Sequence, residues 1–257
     1  MEPWYKVALP RVEVREGRSF NPNEFAIALE QVVAGRGPED YRDPHKFFAR
    51  TYFTRALSEH VGMVLRRLAG HTANTAPDLT LITQFGGGKT HTLTALYHLV
   101  RHGAALGDVE GVSRLLHDAG LSEVPRAAVG VFVGNAWDPH DGLDNPWLDL
   151  ASQLAGAEGV KALGPTARTV APDTDNLARL FETAGGQVLI LCDEVLNFMS
   201  TSSSSACREP HAWACRCSAV ERRGLNHGLG VVANPASDEA SDPEVLVLRS
   251  VSRLHSA

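Results

Sequence analysis

Leu79-Thr80-Leu81-Ile82-Thr83-Gln84-Phe85-Gly86-Gly87-Gly88-Lys89-Thr90 is the stretch on which the reading of this chain turns. Residues 79–83 are strand-forming types, and three glycines follow without a break. From Lys89 to His102, Leu93, Leu96, Tyr97 and Val100 recur at helical spacing, and Gly103 ends the pattern. Ordering a glycine costs up to about 1 kcal/mol relative to alanine, so three in a row need a reason beyond a turn. A polyanion supplies one. Residues without Cβ let backbone N–H groups close around phosphate oxygens, and the next helix aims its positive end at them. Lys89 adds a full charge on a long stem, and the Thr90 hydroxyl suits Mg²⁺. The general pattern is a glycine, four residues, then Gly-Lys-Ser/Thr; here Thr83 occupies the first glycine's place.

Phosphoryl chemistry also needs a carboxylate for the metal and a group that orients water. Gln187 to Cys192 reads as an apolar strand, and Asp193-Glu194 follows directly. In parallel sheets ligands collect at the strands' C-terminal ends. Asp193 is therefore expected to hold Mg²⁺ through water, and Glu194 to polarise the attacking water. Asn135, after the apolar run Ala127–Val133, and Asn234, after 228–233, are softer candidates for the γ-phosphate side; a turn asparagine is the plainer reading of each. His91 is kept as a candidate nucleotide contact, with a helix-surface residue as the alternative.

Further elements fill the intervals. Helices are expected at Val109–Ala119, at Pro146–Leu154 with proline in the first turn, and at Asn176–Ala184 before Gly185-Gly186. Strands alternating with helices define a mainly parallel sheet, here expected as an α/β three-layer P-loop NTPase sandwich. Upstream, Phe25–Val33 reads as a short helix entered near Asn21-Pro22-Asn23, and the Gly/Pro-rich stretch 35–44 as a loop. A helix is predicted over most of Phe47–Leu68 from Phe48, Tyr52, Ala56, Val61, Val64, Leu65 and Leu68, with a polar turn over 71–78. Three regions result: a helical N-terminal segment at 1–70, a nucleotide-binding core at 71–199, and an irregular or aberrant segment at 200–257 that reads as a truncated end of the core.

The 257 residues carry a formal charge of −6, which gives no global match to a nucleic-acid backbone. No apolar run approaches the roughly 20 residues of a membrane span, and the N-terminus lacks a signal-peptide layout. The expectation is a cytoplasmic protein with no membrane partner. Only Lys6, Lys46, Lys89 and Lys161 are lysines among 24 basic residues, which makes a lysine inside a glycine cluster conspicuous. Cys207, His211, Cys215 and Cys217 do not have a usual zinc-finger spacing.

Gln84-Phe85-Gly86-Gly87-Gly88-Lys89-Thr90-His91-Thr92-Leu93 resembles a family of large prokaryotic proteins with domain of unknown function 499, AAA+-type P-loop ATPases. The likeness takes in Arg36–Pro44, Phe47–Tyr52, Val131-Phe132-Val133-Gly134 and Leu189–Glu194, roughly residues 3–199. It implies ATP rather than GTP, Mg²⁺, ATP hydrolysis inside a larger AAA+-like assembly such as a homo-oligomer, and DNA-modification or defence proteins as partners. The alternative is a non-catalytic nucleotide-binding scaffold or truncated remnant. The family's proteins are several times longer. The composition changes at Ser202–Ser205 and stays altered to Gly228, the pattern a reading-frame shift in GC-rich DNA would leave, before Val231–Ser237 resembles the family again. The resemblance also implies a helical lid that this sequence does not carry, so slow turnover is expected of the chain alone.

Overall fold

The computed structural model describes residues 3, 12–17, 27–75, 78–83, 87–138, 145–195 and 228–235. Helices α1 (Val12–Arg15), α2 (Leu29–Val33), α3 (Glu39–Arg42), α4 (Pro44–Arg50) and α5 (Arg55–Leu68) precede strand β1 (Asp78–Thr83). Helices α6 (Lys89–His102) and α7 (Glu110–Ala119) lead to β2 (Ala128–Val133). Helices α8 (Pro146–Ala162) and α9 (Thr174–Thr183) lead to β3 (Val188–Asp193), and β4 (Gly228–Pro235) is the last described element.

All strand pairs are parallel, in the order β1-β4-β3-β2. The protein is thus an α/β domain with a small parallel sheet. Residues 228–235, inside the stretch expected to be irregular or the end of the core, form the strand that joins β1 to β3. Cys207, His211, Cys215, Cys217 and Ser202–Ser205 lie outside the described residues.

Every residue of β3 is buried, as its unbroken aliphatic run requires. Its successive side chains divide between two clusters. Leu189 and Leu191 join Val131 and Val133 in a cluster with Leu65 of α5 and Leu93, Leu96 and Leu99 of α6. Val188, Ile190 and Cys192 join Phe132, Trp147, Leu150, Leu154, Leu177 and Phe181 in the other. The period of two along a strand sends neighbours to opposite faces. Each side chain of this size, once buried, contributes about 1.5–3 kcal/mol. At the outer side of β2, the Gln153 amide donates to the Val131 carbonyl at 2.9 Å and accepts from the Val131 N–H at 2.8 Å. A side chain thereby occupies backbone groups that would otherwise recruit another strand.

The helix predicted over most of Phe47–Leu68 is two helices. The Thr51 hydroxyl donates to the Phe47 carbonyl at 2.8 Å and closes α4, and Thr54 caps α5 by accepting from the Leu57 N–H at 3.2 Å. Tyr52, read as part of an apolar stripe, is 84% exposed. The loop expected at 35–44 contains α3, and Asp43 then caps α4 by accepting from the Lys46 N–H. Helix α8 runs past the expected Leu154 through a kink at Ala155 and Gly156, where Gly156 takes a positive φ of 60°. The expected entry of the first helix near 21–23 lies outside the described residues. Among the described residues no helix is long and apolar enough to cross a membrane.

Candidate nucleotide site

The glycine run ends where α6 begins. Gly88 is the N-cap of α6 and adopts φ 77° and ψ 15°, the left-handed region where an L side chain is disfavoured by about 1–2 kcal/mol. Gly87 and Gly88 are exposed, whereas Lys89 and Thr90 are partly buried. Gln84, Phe85 and Gly86 lie outside the described residues. The first turns of α6 are tied down by their own threonines. Thr92 Oγ1 donates to the Gly88 carbonyl at 3.0 Å, and Thr94 Oγ1 to the Thr90 carbonyl at 2.8 Å.

Strand β3 brings the acids to this helix. Asp193 is its last residue, 3% exposed, paired in register with Val133 of β2 and Ala233 of β4. The Thr90 hydroxyl donates to Asp193 Oδ2 at 2.8 Å. The other carboxylate oxygen, Oδ1, accepts from the Glu194 N–H at 3.1 Å. Burial raises the Asp193 carboxyl above its ordinary value; the Thr90 hydrogen bond and the Lys89 charge pull the other way, and the Glu194 charge adds to the rise. Glu194 is a non-glycine residue at φ 52°. A carboxylate-bearing residue in left-handed backbone beside a buried acid is the kind of strain found at functional positions.

The softer candidates are distributed unevenly. Asn234 lies in β4 opposite Ile82, one residue beyond Ala233, which is level with Asp193. It therefore stands between the C-terminal ends of β1 and β3. Asn135 is exposed on the turn after β2; in that turn the Gly134 N–H donates to the Asp193 carbonyl at 2.9 Å.

His91 is engaged by the N-terminal segment. Its ring stacks on Phe47, with centroids 4.7 Å apart at 29°, and its Nε2 lies 3.1 Å from Thr51 Oγ1. Burial pushes its imidazole below the ordinary histidine value. Phe47 and Thr51 are partners that sequence reading missed, because both fell inside a stretch read as one continuous helix.

Mg²⁺ takes oxygen ligands and is usually held by one or two carboxylates together with substrate phosphates. The Thr90 hydroxyl and the buried Asp193 carboxylate, 2.8 Å apart, fit that donor set. Among the described residues no group of three or more His, Cys, Asp or Glu side chains could hold a metal ion.

By fold, then, this is an α/β domain whose parallel sheet carries a glycine-capped helix at one strand's end and an acidic pair at another's. Residues 10–125 match the DUF499 N-terminal domain family. That span contains β1, the Gly-Gly-Gly-Lys-Thr-His-Thr run, α6 and α7, and stops before β2. Among solved structures the chain is similar to one described as "Structure of C. elegans PCH-2", with 16% identity and a TM-score of 0.34. The similarity covers 74% of this chain and 40% of that one, so the chain spans less than half of that structure. No curated protein matches the chain.

Proposed function

We propose that the protein binds ATP with Mg²⁺ in a P-loop of the three-layer NTPase type and hydrolyses it as part of a larger AAA+-like assembly. The observation that carries this reading is the bond between Thr90, two residues beyond the left-handed Gly88, and the buried Asp193 at the end of β3. Two motifs with separate sequence signals share one spot, at the strand ends where parallel sheets take their ligands.

In this reading Gly86, Gly87 and Gly88 give their amides to the phosphates, together with the N-terminus of α6. Lys89 balances charge on the β- and γ-phosphates. Thr90 and Asp193 hold the cation, Asp193 through water. Mg²⁺, when bound, supplies neutralisation of the charge that spreads over the transferring phosphoryl oxygens. Glu194 orients and deprotonates the attacking water. Asn234 serves the γ-phosphate side, in keeping with its backbone pairing with Ile82 of β1 and its place one residue beyond Ala233, the partner of Asp193. ATP, the AAA+ setting and DNA-modification or defence partners rest on the resemblance carried by residues 84–93.

Titration calorimetry with ATP, with and without Mg²⁺, tests the reading on wild type and Lys89→Ala. Removing a charged partner of the phosphates is expected to weaken binding on the order of tenfold to a hundredfold while the fold is kept. Equal affinity of the two proteins would refute the site.

A further inference from the structure

Successive residues of an α-helix point about 100° apart, so Thr90 and His91 carry the same turn of α6 to two different neighbours. Thr90 meets Asp193 of β3. His91 meets α4 and the residue that ends it. Thr51 has a single hydroxyl proton, which it donates to the Phe47 carbonyl at 2.8 Å. Toward His91 it can therefore only accept, so the 3.1 Å contact is an Nε2–H donating to Thr51 Oγ1. The stack on Phe47 holds the other side of the imidazole. Phe47 is itself 2% exposed, with Phe48 edge-on at 5.1 Å and His98 at 5.2 Å between ring centroids. The same hydroxyl that closes α4 thus anchors the residue next to Thr90.

We propose that residues 39–54 respond to nucleotide occupancy, with His91 and Thr51 as the positioning residues that couple them to the phosphate-binding turn. This rests on the nucleotide reading above. Ordering of the turn 88–91 by a bound triphosphate is passed to Thr51 and Phe47, which lose freedom to open. The coupling is reciprocal: docking of the segment prearranges the turn and tightens nucleotide binding by the same factor. His91 thereby acts through Thr90's turn.

Amide hydrogen exchange of the full chain, with and without saturating Mg·ATP, is the test, read alongside calorimetric affinity. In wild type, Mg·ATP is expected to slow exchange across 39–54 by about tenfold, within the usual range for coupled sites. Thr51→Val removes the acceptor; it should lose most of that slowing and weaken Mg·ATP binding by a similar factor. Thr51→Ser keeps the hydroxyl and should retain both. The proposal is overturned if Mg·ATP protects 87–92 but leaves 39–54 unchanged, or if Thr51→Val behaves as wild type. Protection of neither region, with no heat of binding, would bring down the nucleotide reading and this coupling together.

Discussion

The Thr90 hydroxyl donates a 2.8 Å hydrogen bond to the Asp193 carboxylate across 103 residues of chain. The bond partly offsets the burial of a carboxylate that lies 3% exposed. Because burial raises the folded-state pKa of Asp193, its contribution to stability is most favourable at acidic pH and declines as pH rises through that value. Asp193→Asn removes the charge; its Oδ1 can still accept from the Glu194 N–H while its amide donates to the Thr90 hydroxyl oxygen in place of the present bond. The variant is expected to unfold at a higher temperature than wild type at neutral pH without ligand. It should also lose the gain in ATP affinity conferred by Mg²⁺, by at least about tenfold. Scanning calorimetry and titration calorimetry on the same preparation check both halves.

Glu194 carries the cost of its φ of 52° for the sake of its position. Glu194→Gly relieves that backbone and should stabilise the fold by about 1 kcal/mol in urea unfolding. Glu194→Gln keeps the backbone cost, so its stability should stay within a few tenths of a kcal/mol of wild type. Both variants should bind Mg·ATP and lose hydrolysis in a phosphate-release assay. Mg·ATP binding with no turnover above background, in wild type and Glu194→Gln alike, would favour the non-catalytic scaffold.

Gly88 is required by geometry rather than by lack of space, since a Cβ there would meet nothing within 4 Å. Gly88→Ala should therefore fold, destabilised by about 1–2 kcal/mol through its φ of 77°. Its ATP affinity should fall because the turn into α6 shifts. Chemical denaturation and calorimetry separate the two effects.

His98 links the N-terminal segment to α6 further along. Its Nε2–H donates to the Tyr41 carbonyl at 2.7 Å, and its buried Nδ1 has no hydrogen-bond partner among the described residues. Burial pushes its pKa down from 6.5 to about 4; the Tyr41 bond and Asp43 oppose the shift, and His102 adds to it. The unfolded chain binds the proton more readily, so this contribution is intact above pH 6.5 and is lost as pH falls towards about 4. Between about pH 7.5 and about pH 5 it amounts to about 2 kcal/mol. His98→Gln keeps a donor for Tyr41 and does not titrate. Its urea-unfolding free energy should show a correspondingly shallower fall over the same range.

Much of the local structure was legible in the residues. Helix α6 begins at Lys89 and ends at His102 as its apolar spacing and flanking glycines require, and β3 lies one residue from its expected bounds. Those signals are local: glycine's steric freedom at 86–88, a period of 3.6 in α6, an aliphatic run in β3. The spacing that read Phe48, Tyr52 and Ala56 as one stripe failed because Thr51 and Thr54 offered side-chain bonds that compete with a continuing helix.

The sequence by itself determined a glycine at the start of α6, the strand before it, the helix after it, and an acidic pair at the end of another strand. Only the tertiary structure decided that β4 lies between β1 and β3, that Thr90 reaches Asp193, that Glu194 sits in left-handed backbone, and that His91 belongs to Phe47 and Thr51. The reason is physical. Strand order and side-chain meeting are set by burying both faces of one sheet at once, through contacts between residues far apart in the chain, and no period or propensity within a short window records which of them will meet.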